Sequence, residues 1–226
     1  VTTFVQEFVQ LRADVIVRWT ACWDRIDECE AKLPPETTSV YTDFPAFSLD
    51  SYSGGELAAG ARLFDAPSGR GSGYRFELDG SGRPLRVRSE HARNGVSWDG
   101  IYRYAPTEVE NIEWCLETGV PCRYERLLLD DDIVIAHQRL VVNGGGYSPA
   151  WWSASRSQVI DEILGNDHNH VIFLWRYPVQ EGVTMRGEEC HNTDEGAHRA
   201  TLEYAYAPDG KLQSIVQHRP AAVHLH

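Results

Sequence analysis

The sequence predicts an α+β fold: a long N-terminal helix packed on a curved, meandering antiparallel β-sheet. Three observations carry that expectation. Apolar residues recur at helical spacing through the first thirty positions. From residue 73 the period switches to two. The two-period segments are separated by short turns containing Gly, Pro and Asp. A single domain over residues 1–226 is expected, with the helix at about 3–32 and the sheet-rich region at about 73–218.

The helix rests on Phe4, Phe8, Leu11, Val15, Trp19 and Cys22, three and four residues apart, with Val5, Val9, Ile16 and Trp23 widening the stripe. Pro34-Pro35 marks its limit, because the residue before a proline is pushed out of helical space. A stripe this wide must lie on a large apolar surface. Residues 36–72 read as mixed: PPETTSVYTDFPAF as extended loop with one edge strand, GGELAAGARL as either a short helix or a strand, and PSGRGSG as a loop.

GYRFELDGSGRPLRVRSE reads as a hairpin about Asp79-Gly80-Ser81-Gly82. Tyr74, Phe76 and Leu78 share one face with Leu85 and Val87; Arg75, Glu77, Arg86 and Arg88 share the other. IYRY and VENIEW flank Ala105-Pro106-Thr107, and CRYERLLL and DIVIAHQRLVV flank Asp130-Asp131-Asp132. Gly144-Gly145-Gly146 interrupts the sheet. SRSQVIDEIL reads as a short helix, with Ser155 and Gln158 spaced for a capping box. HVIFLWRYP is apolar on both faces and is expected to be a central strand. The chain closes on the hairpin RATLEYAYAPDGKLQSIVQH, residues 199–218. Each amphipathic element needs a partner for its apolar side, and the N-terminal helix is the matching cover for the sheet.

Lys plus Arg total 21 and Asp plus Glu 33, a net charge of −12. Such a field repels nucleic acid and anionic membrane and speeds encounter with a basic protein. No apolar run approaches the ~20 residues that cross a bilayer. The five cysteines, Cys22, Cys29, Cys115, Cys122 and Cys190, are an odd number, which points to a reducing, cytoplasmic setting. Val1 is an unusual first residue, so a removed leader stays open. Cys22 and Cys29 lie too far apart along a helix to bridge. Cys115 and Cys122 bracket LETGVP, and a disulfide between them stays open.

Tyr204-Ala205-Tyr206-Ala207-Pro208-Asp209-Gly210-Lys211-Leu212 resembles the Tyr-Asp hairpin repeats of Rhs-type bacterial proteins, as does Tyr74 to Leu85 more loosely. The Tyr-Asp dipeptide itself is missing from both. In style (acidic, sheet-rich, one domain) the chain resembles the immunity proteins that accompany bacterial polymorphic toxins. That resemblance implies a binding role and transfers no functional residue.

Candidate residues follow from local chemistry. His168 and His170, two apart, would share a strand face, and His191 can join them around a metal. The spacing lacks the cupin Glu, and strand-edge histidines are the competing reading. Asp130, Asp131 and Asp132 can receive a basic partner but lack EF-hand spacing. Trp151 and Trp152 offer a wedge for a partner or simple core packing. His137 reads as a hydrogen-bonded strand residue. No phosphate-loop or nucleophile-elbow motif is present, no catalytic residue is assigned and no cofactor is expected. The leading expectation is a non-enzymatic acidic binding protein of immunity or antitoxin type that masks a basic protein partner. A hydrolase or metal-dependent enzyme near His168 and His170, and a small-ligand carrier with an aromatic pocket, are the alternatives.

Overall fold

The computed structural model describes residues 2–42, 47, 49, 64, 72–91, 96–131, 133–177, 179–180, 183–184, 186–193, 196–206 and 212–218. The chain opens with α1 (Thr2–Ala21), continues as a 3-10 segment over Cys22–Glu30, and enters the sheet at β1 (Thr38–Thr42). Strands β2 (Ser72–Leu78), β3 (Pro84–His91), β4 (Val96–Ala105), β5 (Glu108–Cys115), β6 (Pro121–Asp130) and β7 (Ile133–Val142) follow. Two short 3-10 turns, Asn143–Gly146 and Pro149–Trp152, lead into α2 (Arg156–Leu164). The chain returns through β8 (His170–Arg176), the small hairpin β9 (Val179–Gln180) and β10 (Val183–Thr184), then β11 (Arg186–Thr193), β12 (Gly196–Tyr206) and β13 (Leu212–His218). Eleven strands form one antiparallel sheet in the order β1-β2-β3-β4-β5-β6-β7-β8-β11-β12-β13. The class is therefore α+β, with an N-terminal helix against a meandering antiparallel sheet.

The α-helix is shorter than the expected 3–32. It ends at Ala21, and the next nine residues tighten into 3-10 geometry. The reason lies in the sheet. Trp114 donates its indole N–H to the Cys22 carbonyl at 3.1 Å, an oxygen that a continuing α-helix would use itself. Val15, Trp19, Cys22 and Cys29 are buried as the stripe requires, but Val9 is exposed and belongs to the outer face. Phe4, Phe8 and Val5 have side chains outside the described residues.

The core on the helix side joins Val15, Trp19, Cys22 and Cys29 to Ile101, Ile112, Trp114, Tyr124, Leu140, Ile172 and Leu174 on the sheet, with Val159 and Ile163 from α2. Ile112, Tyr124, Leu140 and Ile172 stand in one cross-strand row. Trp19 is fully buried and donates to the Pro121 carbonyl at 2.7 Å. A second core lies on the opposite face, where Phe76, Leu78, Val87, Tyr102 and Leu127 gather with Leu49. In the first hairpin Phe76 faces Val87, as the alternation predicts. Leu85 does not join them, because the register jumps between Glu77 and Leu78 and Leu78 pairs with Pro84. A bulge of this kind leaves its extra residue without an opposite number.

The capping box of α2 is complete. The Ser155 N–H donates to Gln158 Oε1 at 2.9 Å, and the Gln158 N–H donates to Ser155 Oγ. Gly144, Gly145 and Gly146 all take positive φ. The bend seats Gly146 so close that a Cβ there would stand 2.9 Å from the Cys122 Cβ, and the Trp98 indole N–H donates to the Gly145 carbonyl at 2.7 Å. Glycine is required here because both the backbone angle and the space exclude a side chain. Cys22, Cys29, Cys115 and Cys122 are free, buried thiols, so the bridge left open between Cys115 and Cys122 is not formed. Burial pushes the Cys22 and Cys29 thiols up to about 12, which leaves them unreactive at neutral pH.

Trp19→Ala is expected to lower the unfolding free energy by about 3–5 kcal/mol in urea titration, the ordinary cost of emptying a buried aromatic site. Trp19→Phe, which keeps ring bulk but orphans the Pro121 carbonyl, is expected to cost about 1–2 kcal/mol.

Candidate functional site

Strand alternation places two polar systems on the sheet. The first is a buried row on the face away from α1. Tyr102, Asn111, Glu125, Arg139 and Phe173 stand directly opposite one another on β4, β5, β6, β7 and β8. The next row holds Val109, Leu127, His137 and Trp175; the row on the other side holds Gly100, Glu113 and Arg123. Period-two alternation of apolar and charged residues makes the strands; their register makes the rows.

Glu125 and His137 are completely buried. Arg139 Nη1 lies 3.6 Å from Glu125, and Arg123 Nη1 lies 3.4 Å from Glu113. Burial pushes the Glu125 carboxyl up, but Arg123, His137 and Arg139 together hold it below its ordinary value. Glu113 goes the other way: burial raises it more than Arg123 lowers it. The Arg139 guanidinium sits 4.5 Å above the Phe173 ring and 5.0 Å from the Trp175 ring. His137 stacks on Trp175 with centroids 4.6 Å apart, and Trp175 stacks on Phe173 at 5.2 Å. A cation over stacked rings adds to the ion pair at a site shielded from water. The Tyr102 hydroxyl donates to the Phe47 carbonyl at 3.1 Å, and Phe47 and Leu49 pack with Tyr102 on this face. Chemically, the row holds a carboxylate ionised among cations and rings. Glu125 and His137 are both closed off from solvent.

The second system is the outer surface of the helical layer. Most of the arginines there are engaged in ion pairs. Arg18 pairs with Asp14, Arg25 with Glu28 and Glu110, Arg103 with Glu28, Arg126 with Glu108, and Arg156 with Asp24. Asp27 and Glu30 on the 3-10 segment, Glu117 in the β5–β6 turn, and Asp161 and Glu162 on α2 are exposed. Among the described residues, no ion pair engages these five.

The sequence candidates are dispersed. His168 is exposed in the turn before β8, while His170 is the first residue of that strand and is fully buried. His170 Nδ1 donates to the Ile163 carbonyl at 2.9 Å, and burial pulls its pKa down. His191 pairs through its backbone with Phe173, three strand positions from His170; its side chain lies outside the described residues. Among the described residues no group of three His, Cys, Asp or Glu side chains is placed to hold a metal ion. Asp130 and Asp131 are exposed at the β6–β7 turn, with Asp131 at φ 46°, and Asp132 lies outside the described residues. Trp151 belongs to the helix-side core, whereas Trp152 is 61% exposed and meets Tyr147 edge-on. His137 is the strand residue that the sequence indicated. Its grouping with Glu125 and Arg139 was not apparent, although the signal existed: charged residues at alternate positions in two consecutive apolar strands.

No helix among the described residues is long and apolar enough to cross a membrane. No family model matches the chain, and no similar curated protein or solved structure was found.

Arg139→Met, which strands a buried carboxylate, is expected to cost about 3 kcal/mol. Glu125→Gln with Arg139→Met is expected to cost less than that single change, measured by urea unfolding. Because the folded Glu125 value is depressed, its stabilisation is full above the ordinary glutamate value of ~4.3 and is lost as pH falls through the lower folded value. Glu113, raised on folding, contributes below its unfolded value and loses that contribution as pH rises. Glu125→Gln is therefore expected to flatten the acid limb of a stability–pH curve, followed by thermal melts between neutral pH and the onset of acid unfolding.

Proposed function

We infer that the chain is a non-enzymatic binding protein, of the immunity or antitoxin kind, whose acidic helical layer masks a basic protein partner such as a toxin. One observation carries this reading. The arginines around α1, the 3-10 segment and α2 are consumed by internal ion pairs, while Asp27, Glu30, Glu117, Asp161 and Glu162 remain exposed. These exposed carboxylates give an acidic chain, of net charge −12 overall, an acidic face on a layer that sits on the sheet by apolar packing. A rigid surface of one sign accelerates encounter with the opposite sign and rejects like-charged competitors.

A second reading, a small-ligand carrier, draws on the ring stack of His137, Trp175 and Phe173 beside Glu125. In that reading the sheet curves around a ligand held against these rings. Native mass spectrometry of protein purified from its host separates the two: a constant bound mass supports the carrier, and bare protein supports the binding module.

The binding reading predicts that the protein retains one basic partner from host extract at low salt and releases it at high salt. A variant carrying Asp27→Lys, Glu30→Lys and Glu162→Lys is expected to melt like the parent and to lose the partner at least tenfold, since each rim charge steers association. Equal retention by parent and variant would overturn the assignment of the surface.

A further inference from the structure

β1, β2 and β3 carry the sheet past the end of the helical layer. On the inner strands the helix-side row through Ile101, Ile112 and Tyr124 is apolar. On β2 and β3 the same face holds Arg75, Glu77, Arg86 and Arg88. The register sets Arg75 opposite Arg88 and Glu77 opposite Arg86, and β4 sets Asp99 opposite Arg88. Arg75, Glu77, Arg86 and Arg88 line a pocket of about 190 Å³.

Like charges facing each other across a ladder repel, so three guanidinium groups around one space need anionic company. Two of them have it within the protein. Arg88 grips both oxygens of Asp99, and Arg75 pairs with Glu77 at 2.5 Å. Glu77 is held in place by the Ser39 hydroxyl at 2.7 Å. Among the described residues, no carboxylate forms an ion pair with Arg86. Its Nη2 donates to the neutral Ala31 carbonyl at 2.6 Å, and its Nε is buried with no hydrogen-bond partner. Among the described residues, three cations stand against the two carboxylates of Glu77 and Asp99 around this pocket, within a chain of net charge −12.

We propose that this pocket binds a small oxyanion-bearing molecule, a phosphate or carboxylate group seated against Arg86 and flanked by Arg75 and Arg88. The guanidinium fork matches oxyanion geometry, and charge-assisted bonds of this kind are the strong ones. The Arg75 and Arg88 side chains are 46% and 45% exposed, so the ligand enters from solvent. Glu77 is the internal competitor: its carboxylate occupies the same concavity and moderates the affinity.

The test is calorimetric titration with inorganic phosphate, with acetate as a second arm, each against chloride at matched ionic strength. Saturable binding of either oxyanion beyond chloride is expected, and the two arms tell phosphate from carboxylate preference. Arg86→Gln is expected to weaken binding about tenfold, the usual scale for one charged hydrogen-bonding group. Glu77→Gln is expected to tighten it about fivefold by removing the competing charge. The second variant keeps the proposal falsifiable if the first fails to fold. Heat indistinguishable from the chloride control, or an affinity that Glu77→Gln leaves unchanged, overturns it.

Discussion

Two indole hydrogen bonds in opposite directions hold the molecule together. Trp19, on α1, donates down to the Pro121 carbonyl at the start of β6; Trp114, on β5, donates up to the Cys22 carbonyl where α1 gives way to the 3-10 segment. Both rings are fully buried. Each bond gives a buried indole N–H a backbone carbonyl partner in an apolar setting, where losing one is costly. The exchange fixes helix against sheet in rotation and in height. It also ends the α-helix, and so it sets where Asp24, Asp27 and Glu30 emerge.

With one face sealed in this way, the other face has to manage its charges without a helix. The Glu125 row does so by crossing strands: carboxylate, guanidinium and rings stand side by side on β6, β7 and β8. A buried ion pair is weak as a source of stability, because desolvation offsets most of the attraction. Its stronger consequence is register. A slip by one residue would bring Glu125 and Arg139 to the helix-side core and expose Tyr124 and Leu140 in their place. The charged row and the aliphatic row beside it therefore enforce the same pairing from opposite faces.

The outer strands follow a different rule. Once the helical layer ends, the helix-side face of β2 and β3 is free to carry guanidinium groups, and the acidic excess of the chain collects elsewhere. Charge is thus divided by location: paired and buried in the sheet, negative on the helices, and locally positive in the concavity about Arg86. The exposed carboxylates of the helical layer and the guanidinium groups about Arg86 occupy separate regions.

Much of this was legible in the residues themselves. Period-two alternation from Tyr74 onward marked the strands, Gly and Asp marked their turns, Ser155 and Gln158 marked a helix start, and the two-faced HVIFLWRYP marked a strand with neighbours on both sides; these are local signals, set by backbone geometry within a few residues. The sequence by itself therefore determined the class, the meander and the apolar stripe of the first helix. Tertiary structure alone decided that the α-helix stops at Ala21, that Leu85 falls at a bulge, that His168 and His170 part company, and that Glu125 meets Arg139. Each of those outcomes turns on a partner far along the chain, such as Trp114 for Cys22 or Ile163 for His170, and periodicity carries no information about which distant group satisfies a buried polar atom.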